Sequence, residues 1–191
     1  MNICVYGASS KTIDKNYVLE GEKLGALMAE RGHTLVFGGG ATGLMGAAAR
    51  GMTAKNGYII GISPRYFDVD GILYEKCSEV HLTDTMRERK QKMEDFSEAF
   101  VVTPGGAGTF DEFFEILTLK QVGRHNKPIA ILNTSGYYDH LLELIEVAIE
   151  GNFMTAENRN LYSVCRTPEE VLDYIENYHF ESKSLKDYKD I

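Results

Sequence analysis

Several things are scarce in this chain of 191 residues, and each scarcity closes a route. Cysteine is one. Cys4, Cys77 and Cys165 are odd in number and far apart, with no CxxC spacing. Neither a disulfide framework nor a zinc site is expected from them, and a reducing compartment suits such usage. The five histidines, at 33, 81, 125, 140 and 179, form no H-x-H or H-E-x-x-H pair, so no metal is expected. Basic residues are outnumbered, with 20 Lys and Arg against 28 Asp and Glu, a net charge of −8. A general nucleic-acid binder carries a basic face; no nucleic-acid partner is expected, although a small basic pocket for an anionic ligand is compatible with this balance. No apolar run nears the roughly 18 residues that a membrane-spanning helix requires. The opening Met1–Gly7 stretch lacks a basic n-region and reads as a strand, not a signal peptide. The expectation is a soluble, cytoplasmic protein with no membrane partner. There is also no Gly-x-Ser-x-Gly elbow for a Ser–His–Asp triad, no Gly-x-x-x-x-Gly-Lys-Ser/Thr phosphate loop, and no linker, repeat or low-complexity segment.

What is present is an ordinary globular composition, 43% hydrophobic and 25% charged, in a chain long enough for one domain with a substantial core. Short apolar strands alternate with amphipathic helices from end to end. Strands are expected at 3–6, 34–37, 58–62, 79–82, 99–103, 128–132 and 161–165. Helices are expected at about 17–31, 43–56, 85–94, 109–121, 138–150 and 168–178. Apolar strands separated by helices imply a mostly parallel sheet covered on both faces, a doubly wound α/β domain over residues 1–180. Residues 181–191 read as a polar tail, and Ser63–Cys77 as a looser stretch outside the regular core. In such sheets ligands gather at the carboxyl ends of strands. The loops starting at Gly7, Gly38 and Pro104 all lie there.

The most informative run is Pro104-Gly105-Gly106-Ala107-Gly108-Thr109-Phe110-Asp111-Glu112. Its glycines let backbone approach a ligand without Cβ interference. The helix that follows aims unpaired N–H groups and a positive dipole end at the turn, which suits a phosphate. One turn in, Glu112 brings a carboxylate to whatever the loop holds. The competing structural reading is a Thr109-x-x-Glu112 capping box, worth roughly 1 kcal/mol and requiring no chemistry. Gly38-x-Gly40-x-x-Gly43 matches a dinucleotide fingerprint, but after the second strand, with no ribose-binding acid; Arg65 leaves an NADP reading open. Gly7-Ala8-Ser9-Ser10-Lys11 offers hydroxyls and amides to an anion or is a solvated turn. Met86-Arg87-Glu88-Arg89-Lys90, by composition alone, is a solvated helix face. Tyr137 and Tyr138 are expected to pack.

Taken together, these segments resemble the Lonely Guy family of cytokinin riboside 5′-monophosphate phosphoribohydrolases, whose members are often mislabelled lysine decarboxylases. The Pro-Gly-Gly-x-Gly-Thr-x-x-Glu hallmark is complete from Pro104 to Glu112, and Met-x-x-Arg-Lys is present as Met86, Arg89 and Lys90. Phe37–Gly46, Lys127-Pro128-Ile129 and Gly136-Tyr137-Tyr138 also fit, and the similarity spans about residues 2–178. Arg87 stands where plant members usually have His, and 63–77 departs from the plant pattern. The resemblance implies a Rossmann-like fold and a homodimer with the site near the subunit interface. It implies a nucleoside 5′-monophosphate as substrate, split at the N-glycosidic bond into free base and ribose 5-phosphate, with no cofactor. Arg89 and Glu112 become the catalytic residues. Gly7, Ser9, Gly39, Met86, Lys90, Gly105, Gly106, Ala107, Gly108, Thr109 and Thr118 become substrate-binding residues. Some relatives bind nucleotides or a molybdenum cofactor without this hydrolysis, so a non-catalytic carrier stays open. Lysine decarboxylation is the weakest alternative, because no segment singles out a Schiff-base lysine and pyridinium partner.

Overall fold

Seven strands form one sheet in the order β4-β3-β2-β1-β5-β6-β7, every adjacent pair parallel. The computed structural model describes residues 1–68 and 71–179; the tail expected at 181–191 lies outside them. The strands are β1 (Asn2–Tyr6), β2 (Thr34–Phe37), β3 (Tyr58–Pro64), β4 (Glu79–Thr83), β5 (Ala99–Val102), β6 (Ile129–Leu132) and β7 (Ser163–Cys165). The helices between them are α1 (Lys15–Glu30), α2 (Gly43–Ala54), α3 (Met86–Phe96), α4 (Ala107–Gln121), α5 (Asp139–Glu150) and α6 (Pro168–Glu176).

Side chains alternate across the pleat and so divide the core in two. Ile3, Val5, Leu35, Phe37 and Val101 pack with α1, α2 and α6 through Leu24, Met28, Met52, Val171 and Leu172. Cys4, Tyr6, Val36, Phe100 and Val102 face α3, α4 and α5 through Met93, Phe113, Ile116 and Ile145. Both faces of the sheet are covered, which is why the central strands read as unbroken apolar runs rather than as alternating ones. The chain winds outward from β1 to β4, then returns to β5 beside β1 and winds outward the other way. The expected doubly wound, Rossmann-like architecture is therefore present. β1 and β5 flank its switch point, where diverging loops leave a crevice.

Two expectations need correction. Helix α4 starts at Ala107, two residues before Thr109, with Gly106 as its N-cap. The described part of the stretch 63–77 is irregular and largely exposed beyond Pro64, as expected, but it is tied to the core rather than detached from it. β3 runs through Ser63 to Pro64, a 3-10 turn covers Arg65–Phe67, and Tyr74 and Cys77 pack against the α1/α2 side. Leu73 forms an antiparallel bridge with Gly40. The Ala41 N–H donates to the Ile72 carbonyl at 2.9 Å and the Tyr74 N–H to the Gly39 carbonyl at 2.8 Å. That stitch joins two loops, so it leaves no periodicity in the sequence.

One buried charge works against the fold. Lys120, in the last turn of α4, is 4% exposed. Its ammonium lies 4.7 Å from the centroid of the Tyr178 ring and has no hydrogen-bond acceptor among the described residues. Burial pushes the amine down to about 8, so at neutral pH the folded protein carries a proton that the unfolded chain holds more easily. Unfolded Lys titrates near about 10.4, and stability rises with pH wherever the unfolded state binds more protons. Chemical denaturation should show wild-type stability rising between pH 8 and about 10.4. Lys120→Met should be more stable at pH 7 by on the order of 2 kcal/mol, with the advantage shrinking across that window.

Candidate functional site

A cavity of about 720 Å³ opens at the carboxyl ends of β1, β2, β3 and β5. Buried at its base is an ion pair. Arg89 projects from the first turn of α3, a helix fixed by a capping box in which the Thr85 hydroxyl accepts from Glu88 N–H and the Glu88 carboxylate accepts from Thr85 N–H. Arg89 Nη1 donates to Glu112 Oε1 at 2.7 Å, with the two side chains 9% and 10% exposed. Arg89 Nε donates to the Ile62 carbonyl at the end of β3, at 3.2 Å. The guanidinium thus spans from β3 to α4, across the ends of β2 and β1. Gly38 is what allows this, since a Cβ there would collide with Arg89 Nη2.

Burial raises the Glu112 carboxyl above the ordinary carboxylate range, and the neighbouring Arg89 opposes that rise. Beneath the pair, burial pushes the Cys4 thiol up to about 12, with the Glu112 charge adding to the effect. A thiol so raised stays protonated and is not a nucleophile. Lys90, one residue along α3, is held at the rim by Asp111 at 2.9 Å and Glu115 at 3.0 Å. Burial works against its charge, but the two carboxylates win and raise its ammonium above the ordinary range.

Two glycine-rich helix starts face the cavity, and only one is open to an anion. At α2 the Ala8 carbonyl accepts from Leu44 N–H at 2.8 Å and from Met45 N–H at 3.4 Å. Gly43, at φ +64°, lies so close that a Cβ would collide with the same carbonyl. The place a pyrophosphate would take in a dinucleotide fold is filled by the protein's own backbone. Arg65, the candidate 2′-phosphate group, pairs instead with Asp84 at 3.0 Å and does not line the cavity. Both observations remove the support for an NADP site.

Helix α4 is different. Its N-cap is Gly106 and no side chain caps it, whereas Asp14, Thr85 and Thr167 cap α1, α3 and α6. Gly106, Ala107, Gly108 and Thr109 all line the cavity. Unpaired first-turn amides at the positive end of a helix form a ready anion site. The Thr109-x-x-Glu112 capping box does not form, because the helix has already begun and Glu112 turns to Arg89.

Of the residues expected from sequence, Gly7, Ser9, Met86, Arg89, Lys90, Gly106, Ala107, Gly108, Thr109 and Glu112 line this one cavity. Gly39 and Gly105 lie in the loops that border it, without lining it. Thr118 is exposed on α4, outside the cavity. The wall opposite the α4 start is apolar, made by Met45, Phe67, Ile72 and Leu73 with the buried Ser63. Sequence reasoning missed this wall. The adjacent Ile72 and Leu73 after Gly71 were the available signal, but the bridge to Gly40 that brings them over the cavity is not readable locally.

A family model described as "possible lysine decarboxylase" matches residues 45–175. The chain is 35% identical to the cytokinin riboside 5′-monophosphate phosphoribohydrolase LOG of Oryza sativa subsp. japonica, over 92% of this chain and 73% of that protein. It is also 35% identical to the cytokinin riboside 5′-monophosphate phosphoribohydrolase LOG3 of Arabidopsis thaliana, covering 92% of this chain and 82% of that one. Among solved structures, the molybdenum cofactor carrier protein of Chlamydomonas reinhardtii superposes with a TM-score of 0.68 at 21% identity, over 92% of this chain and 94% of that one. That last likeness is one of fold. The family-model match and the identity to the plant proteins, sustained across nearly the whole chain, place this protein in the Lonely Guy family.

Proposed function

We propose that this protein hydrolyses the N-glycosidic bond of a nucleoside 5′-monophosphate, of the cytokinin-activating type, releasing the free base and ribose 5-phosphate. The observation that carries this reading is Glu112, a buried carboxylate on Arg89, about one and a half turns beyond an uncapped helix start. The 5′-phosphate binds the amides of Gly106–Thr109, with the Thr109 hydroxyl assisting. That anchoring sets the ribose over Glu112, so binding becomes orientation. Departure of the base builds positive charge at C1′, as in glycoside cleavage generally. The Glu112 carboxylate stabilises that charge and orients or deprotonates the attacking water. Arg89 keeps Glu112 ionised and aimed. The base then lies toward the ends of β2 and β3, against Met45, Phe67, Ile72 and Leu73. A bulky apolar substituent on the base is compatible with such a wall.

The fold likeness to a cofactor carrier favours a second reading, binding without turnover. What supports hydrolysis over it is the carboxylate itself, since an anion carrier gains nothing from a buried negative charge beside its anion site. Free base should appear from AMP or an N6-prenylated AMP but not from the corresponding nucleoside. Glu112→Gln should lower turnover by about 10³-fold while AMP affinity, measured calorimetrically, is retained. Tight AMP binding by the wild type with no base released would give the carrier reading instead.

The ion pair makes its own prediction. Arg89→Ala strands a buried carboxylate, which costs about 3–5 kcal/mol when one partner of a buried pair is removed. Urea unfolding at pH 7 should show that loss, and Arg89→Met with Glu112→Gln should recover most of it. In Arg89→Ala the deficit should shrink as pH falls through the raised Glu112 pKa, because a protonated carboxyl needs no partner. Because burial raises the Glu112 carboxyl, the acid limb of the wild-type kcat/KM profile should sit above the ordinary carboxylate value.

A homodimer belongs to this reading. Phe114, Leu144, Val147 and Phe153 are large apolar side chains left exposed. Thr118 shares a helix face with Phe114, four residues earlier, and would meet the partner subunit, not its own cavity. Sedimentation should give a dimer at micromolar concentration, and Leu144→Glu with Val147→Glu should give a folded monomer.

A further inference from the structure

The anion site depends on which way the peptides of Thr103–Gly106 face, and something must hold them. In a trans peptide the carbonyl of one residue and the N–H of the next point to opposite sides. Fixing the carbonyl therefore aims the following amide. Three successive carbonyls here are gripped. The Thr103 carbonyl accepts from the Tyr138 hydroxyl at 2.7 Å. The Pro104 carbonyl accepts from Ala8 N–H at 3.1 Å. The Gly105 carbonyl accepts from the Tyr137 hydroxyl at 2.7 Å. The fourth, Gly106, accepts from Phe110 N–H at 3.0 Å, the first bond of α4. Neither Gly105 nor Gly106 donates its N–H to another group among the described residues.

We infer that Tyr137 is a positioning residue for the anion site: its hydroxyl holds the Gly105 carbonyl away from the cavity and thereby presents the Gly106 amide to the phosphate. Tyr137 does not line the cavity. Gly106 does line it, on the opposite side of the peptide that Tyr137 grips. Without the grip this peptide is unusually free to turn, because it joins two glycines. A flipped Gly105 carbonyl would face the anion with a negative dipole end where an N–H should be.

The tyrosine is itself held at a built turn. Ser135 at φ 55° and Gly136 at φ 72° reverse the chain after β6. A non-glycine residue in that left-handed region is strained and persists where surroundings enforce it. Here the Asn133 side chain accepts from Tyr138 N–H at 2.7 Å and donates to Asp139 at 2.7 Å. The Tyr137 ring is then fixed edgewise between Tyr138, at 5.0 Å, and Tyr17 of α1, at 6.0 Å. Three elements, α1, the β6–α5 turn and α5, therefore converge on one peptide of the Gly-rich loop.

Tyr138 supplies the contrast. It grips the Thr103 carbonyl, but the next residue is Pro104, which has no N–H to aim. Its hydroxyl bond is buried and contributes to stability, without orienting an amide.

The inference rests on the phosphate anchor of the proposed function, not on turnover. It is tested by calorimetric binding of AMP and of adenosine in a Glu112→Gln background, where no substrate is consumed. Adding Tyr137→Phe should weaken AMP about tenfold, the scale of one well-placed hydrogen bond to a charged group, and change adenosine less than twofold. In the otherwise wild-type enzyme the same substitution should raise KM for the monophosphate with a smaller effect on kcat. Adding Tyr138→Phe should lower the unfolding midpoint and leave AMP affinity within about twofold. Unchanged AMP affinity in Tyr137→Phe, equal weakening of AMP and adenosine, or equal weakening of AMP by the two tyrosine variants would each overturn the assignment. Failure to release base while these affinities behave as stated would remove the hydrolase reading alone.

Discussion

A guanidinium and a carboxylate 2.7 Å apart, each about a tenth exposed, cannot be explained as a contribution to folding. Removing two charges from water costs several kcal/mol per ion, and a buried pair often recovers no more than it loses. The local architecture nonetheless converges on making this pair. Thr85 and Glu88 fix the start of α3, the end of β3 offers the Ile62 carbonyl to Arg89, and residue 38 has no side chain because the guanidinium fills that space. Glu112 is raised by burial and restrained chiefly by Arg89, with smaller opposed effects from Asp111 and Lys90. Such opposed effects on one carboxyl in a cleft are the signature expected where a side chain is kept for reaction.

The pair has meaning only beside an anchor, and the fold supplies one of two possible anchors. α2 and α4 both begin at glycines at the carboxyl end of the sheet, and both resemble nucleotide-binding starts in sequence. Ala8 separates them. Its carbonyl closes the α2 start, while its N–H takes the Pro104 carbonyl and helps open the α4 start. One peptide unit on either side of Ala8 thus removes the dinucleotide possibility and favours a single phosphate. The loop after β1 serves here as a strut between the two helix starts as well as a wall of the cavity.

Much of this was legible in the residues, and the parts that were not share a cause. The order of strands and helices followed from short unbroken apolar runs such as Phe100–Val102 alternating with longer helical-period segments that glycines close. Pro104–Glu112 announced both the turn and the acid. The helix start was misplaced by two residues because Thr109 is a better N-cap than Gly106 by propensity, yet Thr109 is already inside the first turn, buried against Gly105. The reading of Met86–Lys90 as a solvated face failed for Arg89 and only partly for Lys90. Composition cannot show that Gly38 leaves a guanidinium-sized gap 51 positions away. The apolar wall at 63–73 was missed for the same reason, since its partner is a loop with no periodicity of its own. Lys120 escaped notice too, because a lysine late in a helix reads as a favourable charge on the dipole, and only the packing under Tyr178 reveals its cost.

Charge accounting explains why the anchor is made of amides. The cavity holds Lys11, Arg89 and Lys90; Arg89 is committed to Glu112 and Lys90 to Asp111 and Glu115, while the exposed Lys11 forms no ion pair among the described residues. A phosphate seated on α4 would therefore meet fixed N–H dipoles with Lys11 as the one unpaired cavity cation among the described residues, in a protein whose overall charge repels it. Dipoles that are already oriented need no reorganisation when charge arrives, and in the proposed reaction they would not compete with C1′ for the Glu112 carboxylate as a nearby cation would. That arrangement would keep a bound anion and the acid in separate electrostatic compartments of one cavity. It also puts the demand for accuracy on the peptides of the Gly-rich loop, which is where the tyrosines of the β6–α5 turn are found.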